Sequence, residues 1–258
     1  MKMRKWQLAL AAAAFSIAAG MGTLQAADEA SSLDGDTVTY DMGTGVITAE
    51  GDVLMKRGST SVAGKSASYN TKTQQGEVTG NVIAVRDTMR LTAAKIVLDS
   101  LDSIRALGGV SLTKEDLSLQ AASLSLIGQD QYIAEGDVHG KKGDKTFTGP
   151  RAEYYQAQEY MLIPQGGTIT TADGTFTANH MEGWLKEERY KGVGSAHIVS
   201  PPKSFEGGGD VVDYIAKDES GKGKCILDGN AWAYQGNNAL KSNHLTVYLA
   251  NTGDVAVE

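Results

Sequence analysis

Small or apolar residues and polar residues alternate with a period of two along nearly the whole chain. The first clear stretch is ITAEGDVLM, in which every second residue is small or apolar: Ile47, Ala49, Gly51, Val53 and Met55. This alternation is typical of a β-strand that turns one face inward. We therefore expect a strand here, and further strands wherever the pattern returns.

The glycine at the centre of that stretch recurs at a nearly constant spacing. The recurring glycines are Gly51, Gly80, Gly108, Gly136, Gly166, Gly194 and Gly229, at intervals of 29, 28, 28, 30, 28 and 35. A repeat of about 28 residues indicates one supersecondary unit used many times. Because the glycine belongs to the inward set, we expect a gap in the interior lining there, or a close approach of the facing sheet.

A second segment follows each glycine by about eleven residues and aligns without gaps in four copies. These are VAGKSASY (62–69), LTAAKIVL (91–98), LQAASLSL (119–126) and FTGPRAEY (147–154). The first, third, sixth and eighth places are apolar or small, so the inward phase changes between the third and sixth. Regular pleating forbids this change, which predicts a β-bulge or a bend.

These segments, with TVTYD at 37–41, predict about 15 or 16 strands. Turn-forming residues follow them, as in NTKTQQ at 70–75, and no helical period is found beyond the amino terminus. The fold class is all-β, a wrapped double sheet of the jelly-roll or solenoid kind. A parallel β-helix is the alternative architecture.

The first 26 residues read as a signal peptide for export. MKMRK is basic, the following stretch is apolar and rich in alanine, and small residues precede Ala27. Residues 27–258 then form the mature β domain of a soluble, exported protein; an uncleaved anchor helix is the alternative. Removing the signal leaves 21 basic against 31 acidic residues, a net charge of −10 that argues against nucleic acid as a partner.

The sequence predicts no catalytic residue, no metal site and no cofactor. Cys225 is the only cysteine, so no internal disulfide can form, and we expect a passive, packed thiol. His139, His180, His197 and His244 lack metal-ligand spacing. GSTSVAGKS at 58–66 differs from a P-loop by one residue between its glycines and aligns with a strand. A carbohydrate-active β-repeat enzyme stays an alternative, because carboxylates distant in sequence can meet in a wrapped fold.

The repeat resembles the OstA-like family, which includes LptA, LptC and the amino-terminal domain of LptD. The resemblance is carried by ITAEGDVLMKRGSTSVAGKSASYNTKTQQGEVTGNV (47–82) and YIAEGDVHGKKGDKTFTGPRAEYY (132–155), with weaker copies over most of residues 27–258. It implies a twisted β-jelly roll whose apolar interior accepts the acyl chains of lipopolysaccharide. It also implies head-to-tail homo-oligomers that bridge the periplasm, with an inner-membrane tether and an outer-membrane translocon of the same fold as partners.

An apolar groove would need inward side chains along many strands. The candidate lipid-binding residues are Val53, Met55, Val62, Val82, Leu91, Ile96, Val110, Leu119, Leu124, Val138, Phe147 and Phe176. The function predicted is that of a periplasmic bridge that carries lipopolysaccharide from the inner to the outer membrane. The alternatives are the inner-membrane tether of the same pathway and a structural or carbohydrate-active envelope protein.

Overall fold

The structure is a computed structural model that describes residues 31–57, 59–100, 103–128, 130–216, 223–249 and 255–257. The predicted signal peptide at 1–26 lies outside these residues. The chain divides into two compact units, Met1–Glu135 (unit 1) and Gly136–Glu258 (unit 2). The predicted β domain at 27–258 thus contains two compact parts.

Unit 1 is built from long strands that follow one another with short turns. The strands are β1 (Ser31–Asp34), β2 (Thr37–Asp41), β3 (Val46–Arg57), β4 (Thr60–Asn70), β5 (Gln75–Arg86), β6 (Met89–Ser100), β7 (Ser103–Lys114), β8 (Leu117–Ile127) and the start of β9 (Gln131–Lys142). From β2 to β8, each strand pairs antiparallel with the next one along the chain. The parallel β-helix alternative is therefore wrong for this unit, and the all-β wrapped sheet is confirmed.

Each long strand of unit 1 bends where the repeat motif lies. Glu50 pairs with Ser66 and Val53 with Gly64, so that Gly51 and Asp52 lie opposite the single residue Lys65. The bulge returns where Gly80–Asn81 face Ala94 and where Gly108–Gly109 face Ala122. Two residues opposite one make a β-bulge, which bends the strand and increases its twist.

The bend changes the inward phase of the partner strand, as its sequence predicts. In β6, Leu91 and Ala93 are buried before the bend, and Ile96 and Leu98 are buried after it. In β3 the extra residue keeps the phase, and Ala49 and Val53 are both buried. Both halves of every strand therefore turn apolar side chains to the same interior.

The motif glycine meets a backbone requirement rather than leaving room in the interior. Gly51 has a φ of +75° and Asp52 a φ of +44°, and the later bulges repeat this left-handed pair. Glycine reaches this region without a steric penalty, and aspartate and asparagine tolerate it better than other residues. The expectation of an interior gap at the glycine was wrong, because the bulge turns the glycine out of the regular alternation.

Unit 2 repeats the arrangement with two of its strands interrupted. Its strands are β10 (Lys145–Tyr155), β11 (Tyr160–Ile163), β12 (Gly167–Thr171), β13 (Gly174–Ala178), β14 (His180–Trp184), β15 (Arg189–Ser200), β16 (Phe205–Ile215), β17 (Gly223–Gln235), β18 (Asn238–Leu249) and β19 (Val255–Val257). A single 3₁₀ turn at Pro201–Lys203 joins β15 to β16 within the described part of this unit.

The interruptions of unit 2 occur where the bulges lie elsewhere. β10 pairs with β11 through one half and with β12 through the other, and β15 pairs in the same way with β14 and β13. β11–β12 and β13–β14 therefore each correspond to one bent strand. The described residues form nineteen strands. When β1–β2, β11–β12 and β13–β14 are each counted as one bent strand, the total agrees with the predicted 15 or 16 strands.

Gly108 and Gly109 allow the bulge to be tested with a matched pair of substitutions. A Cβ at Gly108 would lie 2.7 Å from the Cβ of Ala94, whereas a Cβ at Gly109 would meet no atom within 4 Å. We expect Gly108→Ala to lower the free energy of unfolding by about 2 kcal/mol through strain and overlap. The free energy of unfolding of Gly109→Asn should stay within about 0.5 kcal/mol of the wild-type value, since Asn81 and Asn230 occupy the equivalent position in their bulges. Urea denaturation measures both variants, and an equal loss of unfolding free energy in the two would contradict this account of the motif.

Candidate functional site

A cleft in unit 1 lies between the two halves of its bent strands. It is a cleft of about 480 Å³, its solvent-filled mouth included. The residues that line it are Leu33, Ile47, Ala49, Met55, Val62, Ala67, Ser68, Tyr69, Gly76, Glu77, Val78, Ile96, Leu98 and Ile104. Met55 and Val62 come from one side of the bends and Ile96 and Leu98 from the other. The bends therefore bring apolar side chains from both halves of the strands to one cleft.

The candidate lipid-binding residues lie mostly in the interior. Ten of the twelve are buried, among them Val82 and Val138, which are completely covered. Leu119 and Phe147 are only half-buried. Three candidates, Met55, Val62 and Ile96, line the unit 1 cleft. Their contact with lipid stays a prediction, because burial alone does not separate a ligand-lining side chain from a packed one.

Sequence reasoning missed several residues of this cleft. Tyr69, Leu98 and Ile104 line it, yet none was named as a lipid contact. All three occupy inward positions of the period-two pattern, so the signal was present in the sequence. The alternation could not show which inward positions border open space, because that depends on packing across the sheet.

A second cleft lies within unit 2, and threonine, serine and aspartate are among the residues that line it. It encloses about 370 Å³, including solvent at its mouth, and contains one predicted contact, Phe176. The other lining residues are Ile169, Thr171, Asp173, Gly174, Thr175, Tyr190, Ile198, Ser200 and Tyr214. Burial raises the pKa of both Tyr190 and Tyr214 above the usual value, so both phenols stay protonated at neutral pH.

An aromatic and charged row that sequence reasoning did not foresee crosses one face of unit 2. Tyr155, Tyr160, Trp184 and Arg189 are successive cross-strand partners from β10 to β15. The rings of Tyr160 and Trp184 lie 5.5 Å apart, and the guanidinium of Arg189 lies 4.9 Å from the Trp184 ring. Burial raises the pKa of Tyr160 to about 12. Two strand pairs that are separate in sequence, β10–β11 and β14–β15, supply the row, so no single stretch of sequence indicates it.

The charged groups next to this row have partners. Arg189 donates from Nε to Asp213 at 2.9 Å, and its Nη2 donates to the other carboxylate oxygen of Asp213 at 2.5 Å. Glu153 accepts from Arg151 and from the hydroxyl of Tyr155, each at 2.8 Å. The row thus belongs to an outer surface of the sheet on which the carboxylates of Glu153 and Asp213 are already paired.

The histidines occur in pairs with carboxylates. His139, His180, His197 and His244 each contact one acidic residue, at distances from 2.5 to 3.4 Å. Within the residues that the structure describes, no group of three His, Cys, Asp or Glu side chains could hold a metal ion.

The sequence that resembles a P-loop lies in a strand. Gly64, Lys65 and Ser66 belong to β4, and the Ser66 hydroxyl is 2.7 Å from that of Thr79 on β5. This agrees with the strand alignment and leaves no helix amino terminus beside the glycine for a phosphate.

The described part of the chain contains no helix that is long and apolar enough to cross a bilayer.

Comparison with known proteins adds a family to this geometry. The LptA/LptD N-terminal domain family of LPS transport proteins matches residues 61–189, which is half of the chain. No curated protein matches. One similar solved structure is LptH of Pseudomonas aeruginosa, described as the LptA-homologous periplasmic component of the lipopolysaccharide transport device. It has 15% sequence identity and a TM-score of 0.26, covering 50% of this chain and 79% of LptH. A likeness at that TM-score carries no argument, so the sequence match alone supports the family.

Cys225 provides a test of the packing of unit 2. Its side chain is completely buried, and burial raises the pKa of the thiol to about 12. Because the thiolate is the reactive form, we expect no reaction with DTNB at pH 8 in the folded protein and full reaction in denaturant. Rapid labelling of the folded protein would show that β17 opens readily or is packed differently.

Proposed function

We propose that this chain, which belongs to the LptA/LptD N-terminal domain family of lipopolysaccharide transport proteins, is a periplasmic bridge that carries lipopolysaccharide from the inner to the outer membrane. The family match confirms the resemblance seen in the repeats. A transport component of this kind is a non-enzymatic protein. The bridging role and the periplasmic location are the parts that go beyond family membership.

The observation that carries the proposal is the apolar cleft between the two halves of the unit 1 strands. An acyl chain of about a dozen carbons costs on the order of 10 kcal/mol to expose to water, at about 0.8 kcal/mol per methylene. A protein that moves it through an aqueous compartment must cover it throughout. The lining by Met55, Val62 and Ile96 offers such cover, with Tyr69 and Leu98 beside them.

Partly exposed apolar residues on β2 and β18, here called the terminal strands, support head-to-tail assembly. Val38 on β2 pairs with the buried Ala49 and shares its face of the sheet, yet Val38 is 48% exposed. Leu240 on β18 likewise pairs with the buried Ala233 and is 36% exposed. The interior face thus continues to both terminal strands, where a second copy could extend it.

The backbone at these two strands is also open to pairing. Four of the five β2 residues are exposed, and β2 pairs with β3. β18 is exposed from Asn238 to His244, and β19 pairs with it only at Val247–Leu249. The free edge of β18 therefore lies in its amino-terminal half, because the short β19 covers the other end. Open strand edges readily accept another strand, and first-to-last pairing builds a rod rather than a closed dimer.

Site-specific photocrosslinking tests whether lipid enters the unit 1 cleft. We expect p-benzoylphenylalanine in place of Tyr69, whose aromatic ring it extends with a benzoyl group, to crosslink to lipopolysaccharide in cells. The same group in place of Val97, which follows the buried Ile96 on β6 and is only half-buried, is the control and should give little product. Equal labelling at both positions, or none at Tyr69, would contradict a lipid path through this cleft.

Substitution at the terminal strands tests the bridge. We expect Val38→Lys or Leu240→Lys to weaken self-association by about tenfold or more, because either would bring a charge into the apolar contact between copies. Ile127→Lys is the matched control, since Ile127 is 45% exposed but pairs through β8 with a half-buried Ser103 away from both terminal strands. Sedimentation velocity over a range of concentrations measures the effect. A wild-type protein that stays monomeric at millimolar concentration would rule out the bridge.

A further inference from the structure

A second group of rings lies on the outer face of unit 2, on β15 and β17. Trp232 and Tyr234 alternate along β17 with the buried Ala231 and Ala233, so both rings point away from the interior. Their centres lie 5.2 Å apart, and the ring of His197 on β15 lies 5.5 Å from that of Trp232. We call His197, Trp232 and Tyr234 the ring cluster. It brings three rings from two strands together on a surface that faces solvent.

The glycine run in FEGGGD (205–210) provides the place for the largest of these rings. Glycine weakens the interior of a strand, so three in succession on β16 require a reason. Gly208 lies between His197 and Trp232 as the cross-strand partner of both. A Cβ on Gly208 would lie 3.0 Å from Cε2 and Cζ2 of Trp232. The indole therefore occupies the space above this glycine, where it stays partly exposed.

Polar atoms that can still form hydrogen bonds lie next to the rings. Glu206 is the cross-strand partner of Tyr234, and its Oε1 lies 2.9 Å from Nε2 of His197. Among the described residues, the side chains of Glu206, Tyr234 and Trp232 have no further hydrogen bond. One carboxylate oxygen, a phenol and an indole N–H are thus open to a ligand. Together they can both accept from and donate to hydroxyl groups.

The row from Tyr155 to Arg189 differs from the ring cluster in both respects. In the row, the guanidinium of Arg189 lies over the Trp184 ring, and the carboxylates beside it are paired. The cations that lie over rings in the described residues are on Trp184, Tyr214 and Tyr248, and none is on Trp232. Of these two outer surfaces, the ring cluster is therefore the one that can receive a ligand.

We propose that the ring cluster binds an uncharged stretch of sugar chain. A pyranose has a face of C–H groups, which aromatic rings cover, and a rim of hydroxyls, which Glu206 and Tyr234 can pair with. A purely apolar ligand would leave these polar atoms unused, and Glu206 would repel an anion. The sugar part of lipopolysaccharide and the glycan of a cell wall share this chemistry. The site lies on the outer face of unit 2 and is independent of the lipid path proposed for unit 1.

Saturation-transfer NMR tests the site with two soluble probes. One is the lipid-free oligosaccharide that mild acid releases from lipopolysaccharide, and the other is chitotetraose, which represents cell-wall glycan. We expect the wild-type protein to transfer saturation to the C–H protons of at least one probe, and the probe that binds identifies the source. Trp232→Ala should weaken binding of that probe about tenfold, because the largest ring contact is lost.

Matched substitutions separate sugar contact from a general effect on unit 2. Trp184→Ala removes the same side chain from the row and should leave the affinity within about twofold of the wild-type value. If Trp232→Ala does not fold, Tyr234→Ala removes a ring that is 42% exposed and should also weaken binding. Glu206→Gln keeps the shape of the side chain and should weaken binding too, because a charged acceptor forms the stronger hydrogen bond.

The outcomes also separate sugar binding from the lipid path. A wild-type protein that binds neither probe would overturn the proposed site. Binding that is unchanged in both Trp232→Ala and Tyr234→Ala would overturn it as well, and the rings would then serve only to cover the glycines of β16. Loss of lipopolysaccharide crosslinking at Tyr69 with sugar binding retained would defeat the proposed function alone.

Discussion

The two-residue bulge at each glycine motif is the constraint on which the rest of the structure depends. A straight strand of twelve residues can turn one face to one neighbouring layer only, because its side chains alternate strictly. Inserting Gly51 and Asp52 opposite a single residue bends β3 without losing its inward phase, and the partner strand β4 changes phase at the same point. Each strand can then line both sides of one interior. Successive strands stay in register because every repeat bends at the same place.

The interior that results is apolar but not filled everywhere. In unit 1 it leaves a cleft between the halves of the strands, and in unit 2 a smaller cleft ends at Ser200, Asp173 and Tyr214. Protein interiors are normally packed to the density of organic crystals, so openings lined by buried apolar residues require an explanation. The transport of lipid proposed above would account for the cleft of unit 1.

The outer faces of both units carry ion pairs, and unit 2 adds an aromatic row. Unit 1 carries ion pairs between strands, such as Lys95 with Glu77 and Arg105 with Asp99. Such exposed pairs contribute little to stability, and their charge keeps the surface hydrated. Unit 2 carries ion pairs as well, such as Arg189 with Asp213, and adds the row from Tyr155 to Arg189, where rings and a guanidinium cover one another. Since side chains on the outer faces do not contact the interior, the repeat can accommodate both the ion pairs and the aromatic row.

The sequence by itself determined the fold class, the repeat and the inward set, because period-two alternation and a fixed spacing are local properties that need no knowledge of distant contacts. It also indicated the phase change in segments such as LTAAKIVL, where Leu91 and Ile96 are both buried. The reason for the motif glycine was decided by the tertiary structure, since a positive φ follows from the pairing of one strand with the next. Which inward residues border a cleft, as Tyr69 does and Val82 does not, was also decided there. The row from Tyr155 to Arg189 was decided there too, because β11 and β14 must pair in space before its four side chains become neighbours.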